Sequence, residues 1–490
     1  MRYQGRPHRG VRVRTGAGQK GIVHDQPWSA AEAYAKWLLF YPDIMVSSSA
    51  TPEVIAARRQ QRLHEIIAFA RRHSRFYRDK YSAVKSARPA LTSLPPVSRA
   101  ELMDGFDDWV TDPAVTRRGA EHFMSGEWRI GRAFLGRYTL WSSSGTTGEP
   151  GIFVHDISAL AVYDALSAVR FKGMNAQHFI SGSRSEVKLA LIAAQGHFAG
   201  VATWQRLRQT YPQIARRTKI FSINAPLEEL VQALNRFNPT FIASYPTVFQ
   251  MLAGEKTAGR LEVTPQGLWS GGECLSAAAR AAATAFGCRI VDEYGASEFM
   301  NLAFECAQGK LHLNSDWAWL EPVDEKMRPV PPGSASATVL LTNLANRVQP
   351  FIRYDLGDSV TMSSKPCRCG SPFPVVQVQG RQDEILTLKN SQGRDIPLLP
   401  LAISTALEED AGVHHFQVIQ IAPATLAVRM PGGGRHDGVD GRVRKALKAF
   451  LTHQGLPNAR VRIDDVEPIA DKVSGKFRRV WMADQQKDRL

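Results

Sequence analysis

The sequence predicts an α/β protein: a large N-terminal domain with mainly parallel sheets and flanking helices, plus a small α+β C-terminal domain. Three observations carry this. Short apolar runs at 187–194, 241–245 and 289–294 alternate with stretches of helical periodicity, as a parallel sheet with crossover helices requires. A chain of 490 residues is longer than one hydrophobic core usually fills. Near Gly380 the character changes, and the last 110 or so residues read as a unit with its own strands and helix.

Taken in order, residues 1–22 hold Arg2, Arg6, Arg9, Arg12, Arg14 and Lys20, no acid and few apolar residues, so they predict a basic, disordered tail. The large domain is expected over 23–380. Thr51-Pro52-Glu53 reads as an N-cap, a proline at the first helical position and an acid in the first turn. Val54, Ile55, Leu63, Ile66, Ile67 and Ala70 then follow helical spacing towards an end near Phe76-Tyr77. A second stripe, Leu227, Leu230, Val231, Leu234 and Phe237, is stopped by Pro239. The small domain is expected over 381–490. It has strands at 416–421 and 425–430, a helix at 442–451, and turns marked by Pro397, Pro400 and the Pro-Gly-Gly-Gly of 431–434. No internal repeat is visible.

Hydrophobic residues make up 44% and charged residues 22%, ordinary values for a soluble globular protein. No apolar run approaches the roughly 18 residues of a membrane-spanning helix. The basic N-terminus has no apolar stretch behind it, so no secretory signal is expected and the location expected is cytoplasmic, with no membrane partner. The net charge of +15 has two readings, nucleic-acid binding or an enzyme acting on polyanions. Without interleaved aromatic and basic residues, no nucleic-acid partner is expected.

The most informative stretch is 142–150, Ser-Ser-Ser-Gly-Thr-Thr-Gly-Glu-Pro, directly after the apolar Tyr138-Thr139-Leu140-Trp141. Glycines let a backbone approach a bulky anion, and backbone amides and hydroxyls donate to phosphate oxygens. The Gly-Lys-Ser/Thr ending of a P-loop is missing, so that mechanism is not implied. Downstream, in order, stand Asp292-Glu293-Tyr294-Gly295-Ala296-Ser297-Glu298, Arg353-Tyr354-Asp355-Leu356-Gly357-Asp358, Gly380-Arg381-Gln382-Asp383-Glu384 and Ser474-Gly475-Lys476.

These blocks, in this order and at these separations, resemble the adenylate-forming superfamily of acyl-CoA synthetases, carrier-protein adenylation domains and luciferases. Ser74-Arg75-Phe76-Tyr77-Arg78, Leu94-Pro95-Pro96-Val97-Ser98, Ser244-Tyr245-Pro246-Thr247 and Gly271-Gly272-Glu273 bring the likeness closest to its phenylacetate-CoA ligase-like branch. Gly151, where most of the superfamily has lysine, agrees with that branch. The resemblance covers roughly residues 50–480. It implies that a carboxylate attacks the α-phosphate of ATP and that the acyl group of the adenylate passes to a thiol, either CoA or the phosphopantetheine of an acyl carrier protein. Negative charge develops on the phosphate oxygens and on departing pyrophosphate, so preorganised donors and a divalent cation are needed.

By this resemblance Ser143, Ser144, Gly145, Thr146 and Thr147 would hold the β- and γ-phosphates. Glu298 would bind Mg²⁺, Asp358 would accept both ribose hydroxyls with Arg381 assisting, and Gly271, Gly272, Glu273 and Tyr294 would bracket the adenine. Lys476 would reach from the small domain to the carboxylate and α-phosphate, and Asp383 would be the hinge on which that mobile domain turns. His197, Phe198, Tyr245, Gly295 and Ala296 would surround the acyl group, which suits a planar aryl or arylacetic acid. His197 has two readings, orienting the carboxylate or filling a structural role. The segment 387–394 departs from the glycine-containing strand of CoA-using members, which leaves the acceptor open.

Five cysteines is an odd number, and they are not spread like a disulfide framework. Cys306, His312, Cys367 and Cys369 could form a Cys₃His zinc set or be reduced cysteines beside a surface histidine; the branch often carries the same half-motifs. Cys274 and Cys288 read as core fillers. Homodimers are common in the branch. Rival readings are an enzyme that stops at the adenylate, an adenylyltransferase to a hydroxyl, and a catalytically silent nucleotide-binding scaffold.

Overall fold

A computed structural model describes residues 29–143, 151–170, 187–379, 385–431, 438–469 and 478–483. Ser144, Gly145, Thr146, Thr147, Arg381, Asp383 and Lys476 lie outside the described residues. Strands β1 (Tyr138–Ser142) and β2 (Ile152–Asp156) form an antiparallel pair with Trp141 opposite Phe153.

Among the described residues the largest sheet has nine strands. It is built on β3 (Leu189–Ala193), β4 (Thr218–Ser222), β5 (Phe241–Ser244), β6 (Gly267–Ser270) and β7 (Arg289–Ala296), all parallel. Every residue of β3 and of β5 is buried, as strands covered on both faces require. The connecting helix Leu227–Phe237 turns Leu230, Val231 and Leu234 inward, carries Glu228 and Glu229 in its first turn, and stops at Asn238 in the left-handed region (φ 49°).

Beyond these five parallel strands the sheet continues in the antiparallel sense, so the whole is mixed. After β7 the chain reverses into β8 (Phe299–Glu305) and β9 (Leu311–Leu313), both antiparallel. β10 (Ala318–Val323), β11 (Thr338–Asn343) and β12 (Tyr354–Asp355) make a separate three-stranded sheet. β13 (Ser359–Met362) and β14 (Val375–Gln379) then return to complete the nine strands beyond β9. The reason is local: a tight turn after β7 permits only an antiparallel return, whereas a parallel neighbour needs a long crossover.

Further along, β15 (Leu386–Lys389) and β16 (Asp395–Leu398) form a hairpin. β17 (Gln417–Ala422), β18 (Thr425–Arg429), β19 (Arg460–Ile463) and β20 (Val480–Met482) form a sheet beside the helix Val439–His453. Leu388, Ile403, Phe416, Val418 and Leu447 share a core with Ile192, Val248 and Leu252 of the parallel layer.

The helix that starts at Pro52 ends at His73, short of the expected Phe76-Tyr77. Ser74 is extended, and its Oγ accepts from Tyr77 N to cap a new helix, Arg75–Lys80. The helix Ala30–Ser47 packs on Ile157–Arg170, and the latter ends in a buried ion pair. Arg170 donates to both oxygens of Asp316 at 2.7 and 2.6 Å and to Asn314 Oδ1 at 2.8 Å, with the Phe373 ring 4.0 Å away. Asp316 and Arg170 are 0% and 2% exposed. Removing one partner strands a buried charge, so Arg170→Met should cost about 3–5 kcal/mol, read as a shift in the urea-unfolding midpoint with little change in slope.

Candidate functional site

The carboxyl ends of β5, β6 and β7 open onto a cavity of about 2020 Å³ whose walls include Ser143, Gly272, Glu273, Tyr294, Glu298 and Asp358. In open α/β sheets ligands bind beyond these strand ends, where parallel strands leave room between their loops. The tightest point is Gly295, where a Cβ would stand 2.0 Å from the Met300 carbonyl oxygen. Only glycine fits there, and the pairing of β7 with β8 shifts register between Tyr294 and Ala296. That bulge leads Ala296-Ser297-Glu298 back along the cavity wall.

Tyr294 is buried, and its hydroxyl donates to Asp358 Oδ2 at 2.7 Å. Burial, reinforced by the Asp358 charge, pushes the Tyr294 pKa well above the phenolic range, so it stays protonated as a donor. Gly272 has φ +77°, and a Cβ there would stand 2.9 Å from the Tyr245 ring. The Glu273 carboxylate accepts from Thr247 N at 3.2 Å and Thr247 Oγ1 at 2.8 Å, at the start of the helix Pro246–Thr257. Gly271 donates its N–H to Ser244 O at 3.2 Å.

Glu298 is 2% exposed. Its Oε1 has no hydrogen-bond partner among the described residues, and Arg99 Nη2 stands 3.6 Å away. Arg99 Nε in turn donates to Tyr354 Oη at 3.1 Å. Burial raises the Glu298 pKa, and Arg99 pulls it back. An enclosed carboxylate oxygen that accepts no hydrogen bond among the described residues has capacity for a hard divalent ion such as Mg²⁺, in competition with the Arg99 cation. The sequence does not single out Arg99, although it directly follows Ser98. Its one signal is a cation directly after a capping serine, too common to single out.

Ser143, Gly272, Glu273, Tyr294, Gly295, Ala296, Glu298 and Asp358 therefore face one cavity, whereas Gly271, His197, Phe198 and Tyr245 do not line it. His197 is buried, and its Nε2 donates to Gly126 O at 3.2 Å. Burial lowers its pKa, so the ring is neutral. Its backbone carbonyl accepts from Ser142 N at 2.7 Å, which ties β1 to the segment before the helix Ala199–Thr210. Tyr245 Oη accepts from Ala194 N at 3.4 Å.

A second cluster lies at the cavity's edge. One ligand atom each from Cys306, His312, Cys367 and Cys369 falls within 4.8 Å of all the others. Cys306 Sγ is 3.9 Å from Cys367 Sγ, and Cys369 Sγ is 3.3 Å from His312 Nε2. His312 Nδ1 donates to Phe373 O at 2.7 Å, which leaves the Nε2 lone pair facing the thiols. That fixed tautomer is what a metal-ligating histidine needs, so the donors fit a tetrahedral Zn²⁺.

No protein-family model matches the chain, and no curated protein does. Solved structures do match. 2-Hydroxyisobutyryl-CoA ligase, in complex with 2-HIB-AMP and CoA in its thioesterification state, is 20% identical over 89% of this chain and 91% of its own, with a TM-score of 0.56. The same ligase in the postadenylation state with 2-HIB-AMP is 19% identical over 90% of this chain and 91% of its own, with a TM-score of 0.52. The chain thus shares its fold with these ligase structures. Among the described residues no helix is long and apolar enough to cross a membrane.

Two acids on β7 carry a pH signature. Burial lifts Glu293 to about 8 and Asp292 to about 7. Asn301 Nδ2 donates to Glu293 Oε1, and Glu305 accepts from Asp292 N. A carboxyl with a raised folded pKa binds its proton more tightly folded than unfolded. Its contribution is complete below the ordinary glutamate value of 4.5 and is lost as pH rises through about 8. Glu293→Gln should therefore flatten the fall in unfolding free energy between mildly acid and mildly alkaline pH, leaving the contribution of Asp292, which is lost as pH rises through about 7, measured by urea unfolding across that range.

Proposed function

We propose that this chain, which has the fold of the adenylate-forming enzymes, activates a carboxylic acid with ATP. The products are an acyl-adenylate and pyrophosphate, and a thiol then takes the acyl group. The observation that carries this reading is a single cavity holding both the Tyr294–Asp358 pair and the buried Glu298, whose Oε1 accepts no hydrogen bond among the described residues. Asp358 offers acceptor capacity for ribose hydroxyls, and the Tyr294 ring beside it offers a flat face for adenine. In the same cavity Glu298 would hold Mg²⁺, which would neutralise charge on the phosphates. Arg99 adds a fixed cation to the same wall.

The remaining roles are assigned from the sequence. The 143–147 segment would donate to the β- and γ-phosphates, Lys476 to the α-phosphate and carboxylate, and Arg381 to the ribose, with Asp383 as hinge between a large domain at 23–380 and a small one at 381–490. Ala296 puts only a methyl group on the cavity wall beside Gly295, which favours a planar aryl or arylacetic acid. CoA is the favoured acceptor, since the ligase of similar fold is described with CoA bound.

Pyrophosphate release from MgATP should depend on one class of acid in a panel of benzoic, hydroxybenzoic, phenylacetic and fatty acids. Added CoA should accelerate it and leave an acyl thioester. Lys476→Ala should slow adenylation by about a hundredfold; an unchanged rate would remove Lys476 from the chemistry. Release without a response to CoA would point to a carrier-protein acceptor or to an enzyme that stops at the adenylate, and silence with every acid would argue against ligase activity.

We also propose that Cys306, His312, Cys367 and Cys369 hold a structural Zn²⁺. Metal analysis should find zinc bound by the native chain and lost in Cys306→Ser. Chelation should lower the melting temperature of the native chain and leave that of the variant unmoved.

A further inference from the structure

Glu298 stands on a turn, and a turn by itself does not aim a side chain. Its direction is set by whatever holds the two peptide units around it. The Ser297 carbonyl oxygen accepts from Trp141 Nε1 at 2.9 Å and from His155 Nε2 at 3.2 Å, which uses both of its lone pairs. The next carbonyl, Glu298 O, accepts from Asn343 Nδ2 at 2.7 Å. All three donors are completely buried.

The imidazole has one consistent tautomer. Nε2 faces a carbonyl and must carry the hydrogen, while Nδ1 faces Asn346 Nδ2 at 3.3 Å and Tyr163 Oη at 3.4 Å, both able to donate. Tyr163 Oη accepts from Asn343 Nδ2 at 2.9 Å, and Asn343 Oδ1 accepts from the N–H groups of Ala345 and Asn346. Complete burial keeps the ring neutral, with its pKa lowered to about 3. The ring also stacks on Trp141, with centroids 3.9 Å apart and planes 20° apart.

These donors come from telling places. Trp141 is on β1 and His155 on β2, the strands on either side of residues 143–151, and Asn343 ends β11. Gln349 fastens β2 further, its Oε1 accepting from Val154 N at 2.8 Å and its Nε2 donating to Ile152 O at 3.0 Å. A fully satisfied buried network of this kind is rigid and admits one arrangement.

We propose that Trp141, His155 and Asn343 are positioning residues that lock the Glu298 carboxylate in register with the strands flanking the Ser/Thr/Gly segment, so that cation and phosphates meet in a preset geometry. This rests on the reading of Glu298 as the Mg²⁺ ligand. None of the three donors lines the cavity, and they act only through the Ser297 and Glu298 peptides.

The test compares His155→Phe, which keeps ring stacking but removes the Nε2–H donor, with His155→Gln, whose amide nitrogen can reach the same carbonyl. ATP binding is titrated calorimetrically with and without Mg²⁺, AMP binding without it, and pyrophosphate release against Mg²⁺ concentration. His155→Phe should weaken MgATP binding and raise the Mg²⁺ requirement by about tenfold, as loss of an outer-shell partner does, with AMP binding and helical circular dichroism unchanged. His155→Gln should recover most of that loss. Trp141→Phe removes the other donor to the same oxygen. It should reproduce the defect and combine with His155→Phe less than additively; it also serves if His155→Phe does not fold. MgATP affinity and Mg²⁺ requirement unchanged in folded His155→Phe or Trp141→Phe would overturn the proposal. Glu298→Gln separates the two levels. If it leaves the Mg²⁺ dependence intact, the ligand assignment falls. If it abolishes that dependence while the positioning variants do not move it, the positioning proposal alone falls.

Discussion

The architecture turns on one close approach, the backbone of Gly295 against the Met300 carbonyl. A side chain at 295 would put a Cβ 2.0 Å from that oxygen, so β7 and β8 could not close together as they do. Because they close, the parallel half of the nine-stranded sheet gives way to an antiparallel half, and the chain turns at the cavity rather than crossing behind the sheet. Tyr294 before the turn and Glu298 after it then face one space, though only four positions separate them. Asp358 reaches the same space because β13 joins the far side of that antiparallel half.

Charge in the cavity sets a second constraint. Glu273, Asp292, Glu293, Glu298 and Asp358 line a site proposed to receive a polyphosphate, alongside cations that include Arg99, Arg280, Lys310 and Arg479. Physics offers three ways to reconcile the two. Glu273 is neutralised in effect by the start of a helix and a threonine hydroxyl, Asp292 and Glu293 are driven towards their protonated forms by burial, and Glu298 retains acceptor capacity for a cation. The site is thus less anionic than its composition. A divalent cation would complete the balance, and the overall charge of +15 favours approach of anionic substrates.

Much of this was legible beforehand where the signal is local. The helix expected at Leu227–Phe237 is there because its apolar residues recur on one face and Pro239 cannot continue it. The run at 241–245 makes β5, and the pattern near the end of the chain gives β17, β18 and the helix Val439–His453 within a few residues. The helix stop at His73 was misplaced because Ser74 caps the next helix, and apolar periodicity continues through both. The strand order was not legible, since pairing depends on contacts between residues far apart in the chain.

By itself the sequence determined the order of the chemical blocks and the residue types within them: a hydroxyl- and glycine-rich segment, an acid four positions after a tyrosine, an aspartate after a glycine, and three cysteines with a histidine. Those follow from composition and spacing, which a linear reading can hold. Only the tertiary structure decided that Arg99 stands beside Glu298, that His155 shares the Ser297 carbonyl with Trp141, and that His197 braces β1 while standing outside the cavity lining. A buried donor is defined by the acceptor it meets. His155 and Ser297 lie 142 positions apart, so nothing in the neighbourhood of either one announces the other.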